Sequence, residues 1–554
     1  MLFMLKKTIS FLLVALLCQF ATYNADARQK INTLHPEPKI INIVNFIRDI
    51  EPRDPNITRD VLYQTVVNQI KLMKQYHLGG TFLLQYDALI DKRYQDLLKT
   101  LPKDQFEIGG WWELPQQLIE KAGIQWRGKY SWDWHSDVGF SVGYTPAERE
   151  KIIDVYFTDF KEIFGYYPKS IASWVIDAHS LNYMYDKYKI VATANCKDQV
   201  GTDGFTLWGG YWNQAYYPSR VNAYMPAQHA SKQLPVPVFR MLGSDPIRQY
   251  ADGRTVTTLE PVYNHAGGNE QWINWFFQCF SGDLSLGFNY TQAGQENSFT
   301  WEAMRKGLEL QMPIIAQLKR EGKVRVETME KSGRWFRESY PLTPATTFTV
   351  SKDLPGSNKK TIWFNSRFYR INILWENGTM RITDIHLFNE NIPDKYLENV
   401  TKSNQSFFYT LPLVDGFQWG KAGKPEGFRL MMNKDGQEVP IHGKDPVFAN
   451  VNTTTARATW PLENGSLEIE LNEKGLSIKA KTNAPEDWFL DLYVAENAQT
   501  AFKAVTEAGA KYEFDGHTYL LKATQGIIEK SNAGGLYRIR PKGQRIVLSM
   551  VDPE

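Results

Sequence analysis

Over the first 340 residues, short apolar runs alternate with segments whose apolar residues recur every three or four positions. Residues 40–46 (IINIVNF) form a β-rich run, after which Leu62, Val66, Ile70 and Met73 fall on one helical face. Gly79-Gly80 stops that helix, and 81–86 (TFLLQY) reads as the next strand. Residues 106–109 lead into a helix after Pro115, and Ile152, Tyr156, Phe160 and Ile163 define a stronger one after Pro146. Later strand candidates are 171–176 (IASWVI), 190–194 (IVATA), 236–242 and 284–288. Met304, Leu308, Met312 and Ile315 mark the last clear helix, which feeds the run 323–328. Repeated strand–helix units with apolar strands predict a mostly parallel sheet, closed as a barrel at this length.

After Pro341 the pattern changes. Stretches such as TIWFNSRFYRINILWEN, GSLEIELNEKGLSIKAKT, WFLDLYVAE and QRIVLSMV sit between Gly, Asn and Asp turns and lack helical period. They predict an antiparallel β-sandwich. The expected organisation is therefore a barrel over 28–340 and a sandwich over 341–554. Residues 1–27 read as an export signal: Lys6 and Lys7, then FLLVALL over 11–17, then a small-x-small site at Ala25-Asp26-Ala27. This predicts a periplasmic or secreted protein. Bulky Leu17 before Cys18 argues against a lipid anchor there. Cys196 and Cys279 then remain, allowing at most one disulfide and no cysteine-rich zinc site; two buried thiols are the plainer expectation.

Composition narrows the function. The 63 basic and 61 acidic side chains nearly cancel, so the broad attraction that a nucleic-acid or anionic-membrane binder needs is missing. Beyond the signal no run of 18 apolar residues predicts a transmembrane helix. The aromatic residues are unevenly spread, with 12 of the 17 tryptophans between 111 and 335.

Chemistry in a parallel barrel sits at the carboxyl ends of its strands. Nearly every expected strand end carries a carboxylate. The first is followed by Arg48, Asp49, Glu51, Arg53 and Asp54, and the third by Gly109-Gly110-Trp111-Trp112-Glu113. Later ends give Asp177-Ala178-His179, Cys196-Lys197-Asp198-Gln199, Gly243-Ser244-Asp245-Pro246 and Gln295-Glu296-Asn297. Any one of these also has a structural reading; Asp177 suits the N-cap of a helix beginning near His179. Segments such as KYSWDWHSD and LWGGYWNQAYYPSR mix Trp and Tyr with polar residues and lack the aliphatic residues of a core. Flat rings beside polar groups suit sugars, whose C–H faces stack while their hydroxyls accept and donate hydrogen bonds. Cleaving a glycosidic bond takes one carboxylic acid and a second carboxylate.

The order of elements resembles the distorted (β/α)7 barrel of polysaccharide deacetylases and of family 57 and 38 glycoside hydrolases, the latter carrying a C-terminal β-domain. The phrases VNFIRDIEPR, EIGGWWE, CKDQVGTDGFTLWGGYWNQAYYPSR and LGSDP resemble a group of secreted gut-bacterial proteins with the same layout. The resemblance to deacetylases implies a metal held by an Asp after the first strand and an H-x-x-x-H pair after the third. Asp49 matches the first, but GGWWELPQQ has no histidine. The resemblance to family 57 implies a nucleophile after the fourth strand and an acid after the seventh, which fall at Asp177 and at Glu296, or alternatively Asp245. That nucleophile is normally Glu, and the family's histidine motif near the first strand is absent.

The resulting expectation is an exported, metal-independent glycoside hydrolase with no cofactor, acting on an oligosaccharide or polysaccharide. Asp177 is the expected nucleophile or base and Glu296 the acid, with Asp245, Glu113 and Glu260 as further catalytic candidates. Asp49, Glu51, Arg53, Trp111, Trp112, Trp134, His179, Lys197, Asp198, Trp208 and Trp212 are the substrate-binding candidates. Two alternatives remain open: a non-catalytic glycan-binding protein, and a metal-dependent deacetylase-like esterase.

Overall fold

In the computed structural model, the described residues are 37–249, 257–481, 485, 487–531 and 534–551. The export-signal reading of 1–27, with Cys18, falls outside them.

Seven parallel strands build a nearly closed barrel. They are β1 (Lys39–Ile47), β2 (Gly80–Leu84), β3 (Phe106–Trp111), β4 (Ser170–Ala172), β5 (Ala192–Asn195), β6 (Val238–Arg240) and β7 (Asn289–Ala293). Their spatial order is β7-β1-β2-β3-β4-β5-β6, with Ala215–Tyr216 added antiparallel to β6. A further strand, β8 (Arg325–Glu327), pairs with the start of β1. No ladder joins β6 to β7. Side chains fill that seam: Gln214 Nε2 donates to Asn289 Oδ1 at 2.9 Å, and the Phe239 and Tyr290 rings lie 4.9 Å apart.

The helices form where the apolar period predicts. Helix α1 (Arg59–Gln75) buries Leu62, Val66, Ile70 and Met73. Helix α2 (Pro146–Phe164) has both halves of a capping box, Thr145 and Glu148, with proline in its first turn and Gly165 left-handed at its end. Helices α3 (Ala178–Tyr188), α4 (Glu270–Gly282), α5 (Thr300–Arg320) and α6 (Met329–Ser339) complete the principal set.

One strand differs from expectation. The seventh barrel strand is the polar NYTQA of β7, not 284–288. Ser285–Leu286 instead pairs antiparallel with Thr346–Val350 of the C-terminal region. Apolar content misleads here because this barrel also buries polar side chains: Asn42, Thr81 and Gln292 are fully covered.

The C-terminal region is antiparallel and all β: among the described residues it supplies ten strands of an 11-stranded sheet, completed by Ser285–Leu286, and a 6-stranded sheet. Their facing residues, among them Ile371, Ile382, Trp460, Ile469 and Ile478, share one core. This region also touches the barrel's loops. The hairpin Gln199–Thr202/Phe205–Trp208 becomes a three-stranded sheet by pairing with Ser406–Tyr409, in parallel to its second strand. Asp203 and Gly204 turn that hairpin with φ of 47° and 85°, the two-residue geometry that Asp-Gly favours. A Cβ on Gly204 would meet the Asn404 carbonyl oxygen at 2.0 Å, so glycine is required where the two regions touch.

Candidate active site

A cleft of about 500 Å³ opens at the carboxyl ends of the strands, within the range of small-molecule sites. Its polar lining comes from successive strand ends: Arg48, Glu51, Arg53 and Asp54 after β1, Lys197 and Gln199 after β5, Glu260 after β6, and Glu296 and Ser298 after β7. Trp174, Phe205, Tyr263 and Phe299 supply aromatic walls, with Asp203 and His265 at the lining as well.

The loop after β7 is held tightly. Gly294 has φ of 95°, and a Cβ there would meet the Val44 carbonyl oxygen at 2.2 Å. Asn297 then continues the sheet with its side chain: it accepts from Arg48 N at 3.0 Å and donates to the Arg48 carbonyl at 2.8 Å. The first and seventh strand ends are thus joined just where Arg48 and Glu296 emerge. Thr300, next to Phe299, has φ of 67°, a costly region for a β-branched residue.

Two charged groupings face each other across Gln295. In the first, Arg48 Nη2 lies 2.9 Å from Glu296 Oε2 and 3.0 Å from Glu113 Oε2, while Nη1 is 3.5 Å from Glu51. The guanidinium rests 4.0 Å above the Trp132 ring, and Ser298 Oγ donates to Glu296 Oε1 at 2.8 Å. In the second, Glu260 Oε2 accepts from Thr258 at 2.8 Å and Lys197 Nζ at 3.2 Å, while Oε1 accepts from Gln295 Nε2 at 3.1 Å. Gln295 Oε1 in turn accepts the Glu296 backbone N–H at 2.9 Å.

Electrostatics follow from burial and these partners. Burial opposes the Arg48 charge, but Glu113, Glu296 and Glu51 outweigh it and hold the guanidinium charged. Burial likewise opposes the Lys197 ammonium, and Glu260 restores it to above its ordinary range. Burial pushes the Glu113 carboxyl up to about 7, with Glu296 adding and Arg48 opposing. The Glu51 carboxylate also suffers from burial, yet the Arg53 fork and Arg48 hold it below the ordinary carboxylate range. The Glu260 charge, then burial, push the Tyr263 hydroxyl up to about 12.

Among the sequence candidates, Glu51, Arg53, Lys197, Glu260 and Glu296 line this cleft. Glu113 lies behind it and acts on it through Arg48. Trp134 is half-buried beside it, with the Arg53 guanidinium 5.5 Å from its ring.

The other candidates are placed as structure. Asp177, expected as nucleophile, is fully buried and caps α3: it accepts from Ser180 N at 2.8 Å, Ser141 Oγ at 2.5 Å and Arg149 Nη1 at 2.9 Å. Asp245 is fully buried and accepts from the backbone of Ile247 and Arg248 and from the Trp272 indole. Asp49 is taken by Arg59 and Arg93. Asp198 is enclosed by Arg240, Arg370, Tyr224 and the Gly209 backbone. His179 faces Glu150 along the helices. Trp112 packs edge-on against Tyr156, and Trp111 stacks on Phe46 at 4.1 Å and backs Trp174 edge-on at 5.2 Å. Trp208 donates to Asp415, and Trp212 stacks at 4.5 Å on Trp363 of the β-region.

The cleft also holds residues given no role in the sequence reading. Trp174 was hidden inside an apparent strand because β4 ends at Ala172. Asp203 and Phe205 were announced only by the Asp-Gly turn.

The metal site implied by the deacetylase resemblance does not fit these residues. Asp49 is paired with two arginines, and residues 112–117, directly after β3, include no histidine. Among the described residues, no group of three or more His, Cys, Asp or Glu is placed to hold a metal ion. Cys196 and Cys279 are separate buried thiols. No described helix is long and apolar enough to cross a membrane.

No protein-family profile matches the chain, and no curated protein is similar to it. Among solved structures, a "putative glycoside hydrolase/deacetylase" from Parabacteroides distasonis is similar at 15% identity, covering 70% of this chain and 89% of that one, with a TM-score of 0.48. The 4-alpha-glucanotransferase from Thermococcus litoralis is similar at 10% identity, covering 93% and 99%, with a TM-score of 0.28. The functional reading therefore rests on the cleft itself.

Proposed function

We propose that the protein is an exported carbohydrate-active hydrolase that breaks a glycosidic bond with Glu296 and Glu260. The observation that carries this is the placement of two carboxylates, on the loops after β6 and β7, in one cleft and joined through Gln295. Three donors converge on Glu260, which suits the carboxylate that must carry charge opposite the oxocarbenium-like transition state. Glu296 borders the same open volume on the neighbouring loop, which suits the second carboxyl group that the reaction needs. In this scheme Glu296 protonates the glycosidic oxygen, the C–O bond breaks with its electron pair left on that oxygen, and Glu260 acts on the anomeric carbon directly or through water. Trp174, Tyr263, Phe205 and Phe299 offer ring faces and edges to the sugar. The basic n-region, apolar run and small-x-small site within residues 6–27 support export.

The test is release of reducing sugar from a panel of polysaccharides by purified wild type, Glu296→Gln and Glu260→Gln. Each amide is expected to lower turnover by roughly 10²- to 10⁴-fold, the usual worth of a positioned acid or base. Near-normal turnover in both removes the assignment. Saturable glycan binding by a wild type that forms no product over long incubation makes the cleft a binding site only.

A further inference from the structure

Behind the cleft, Glu113 has no direct access to a substrate, yet it grips the same nitrogen as Glu296. Arg48 Nη2 is 3.0 Å from Glu113 Oε2 and 2.9 Å from Glu296 Oε2, so those oxygens lie no more than about 6 Å apart. Glu113 is 1% exposed and Arg48 is 2% exposed, so water screens this contact little. Glu51 is the third carboxylate on Arg48, but the Arg53 guanidinium also forks onto it, at 2.7 Å on each side, while its remaining nitrogen lies 3.4 Å from Asp203. Glu113 and Glu296 are therefore left to share one positive charge.

We infer that Glu113 is a positioning residue whose ionisation decides how firmly Arg48 holds Glu296, an inference that rests on reading Glu296 as the proton donor. When Glu113 is protonated, Arg48 turns its charge to Glu296. When Glu113 ionises, the guanidinium is divided, and its hold on Glu296 loosens. The groups that act on Glu113 are Arg48, Glu296 and Arg53, with the Trp111 indole as a neighbour; Arg48 is also faced by Glu51 and by Asp87. Burial already pushes Glu113 up to about 7, so the exchange falls near neutral pH. Asp87, also pushed up to about 7 by burial, is a further carboxyl whose charge acts on the same arginine, so the Glu113 variants below are what separate the two. The pair resembles two carboxylates sharing a site, except that an arginine carries the coupling.

The test needs no substrate, so it stands or falls apart from the proposed hydrolysis. Full-length protein is treated with a water-soluble carbodiimide and glycinamide between pH 5 and 8, and Glu296 labelling is followed by peptide mass spectrometry. In wild type, labelling is expected to show a shoulder near pH 7, as Glu113 ionises and loosens Arg48. Glu113→Gln, checked for folding by its melting curve, is expected to lose the shoulder, and Glu113→Asp to regain it. On substrate, Glu113→Gln is expected to lower the alkaline limb of the kcat profile by about one pH unit while moving KM little. A wild-type labelling curve without the shoulder, or a shoulder that survives in folded Glu113→Gln, overturns the inference. Should Glu113→Gln fail to fold, a wild-type curve without the shoulder still overturns the inference, and a shoulder displaced in folded Glu113→Asp supports it.

Discussion

Two regions of this protein bury ion pairs, and they differ in what their carboxylates face. At the junction of barrel and β-region, Asp198 accepts from Arg240 at 2.7 Å, Tyr224 at 2.8 Å, Arg370 at 2.5 Å and the Gly209 N–H at 2.9 Å. Arg370 also forks onto Asp384 at 2.9 and 2.8 Å. Burial works against Asp198, but Arg370 and Arg240 overcome it and hold the carboxylate below its ordinary range. Glu260 and Glu296 are nearly as covered, at 3% and 5% exposure, yet both border an open cleft. Burial of charge alone thus marks a joint as readily as a site; the open volume beside the carboxylate makes the difference. The junction also serves the site, since Asp198 follows Lys197 in the chain and the Arg370 clamp fixes the loop that carries that lysine.

The largest effect expected from breaking this contrast is at Arg370. Replacing it with Met takes the guanidinium fork from buried Asp384 and leaves Asp198 with one arginine in place of two, and removing one partner of a buried pair costs about 3–5 kcal/mol. Chemical denaturation should show that loss for Arg370→Met, whereas Glu296→Gln should unfold close to wild type. Equal losses in both variants would erase the distinction between joint and site.

A smaller effect is expected from pH. Asp394, in the segment that meets α3, is pushed up to about 7 by burial and by the neighbouring Asp177 charge, although the Ala178 and Tyr396 N–H groups donate to it. Its unfolded value is about 4. A raised carboxyl favours the protonated form in the folded state, so its contribution is fully present below about pH 4 and is lost as pH rises through about 7. One such group changes stability by at most about 1.4 kcal/mol per pH unit. Wild type should therefore lose more stability than Asp394→Asn between pH 5 and 7.5, read from denaturation midpoints. A steeper fall in the variant would contradict the sign.

Much of the barrel was legible because period and punctuation survive in the sequence: α1 and α2 lie where their apolar faces placed them. β7 was not, since NYTQA looks like a loop until its polar side chains find partners inside the barrel. The site divided in the same way. Strand ends pointed to Glu51, Lys197 and Glu296, which line one cleft with Glu260, a candidate no strand end had marked. They pointed equally to Asp177, Asp245 and Asp198, whose partners Arg149, Trp272 and Arg370 lie 28, 27 and 172 positions away. Position along a strand is visible in sequence. The distant donor that turns a carboxylate into a cap or a joint is not.

Trp174, set against Trp212, sharpens the comparison with the smallest expected effect. Trp212 lies face to face with Trp363 at 4.5 Å and 4° and donates its indole N–H to Gln249. It belongs to the joint. Trp174 meets Phe46 and Trp111 only edge-on, at 5.5 and 5.2 Å, and remains half-buried at the cleft wall. It lines the cleft where a sugar would stack. A stacking contact of this kind is worth about 0.5–1.5 kcal/mol, so Trp174→Ala should raise KM by roughly two- to ten-fold and leave the melting temperature nearly unchanged. Trp212→Ala should do the reverse, costing about 3–5 kcal/mol of stability as a core truncation. If Trp174→Ala melted early with an unaltered KM, its ring would be packing, and the aromatic wall would lose the residue that most directly suits a sugar ring.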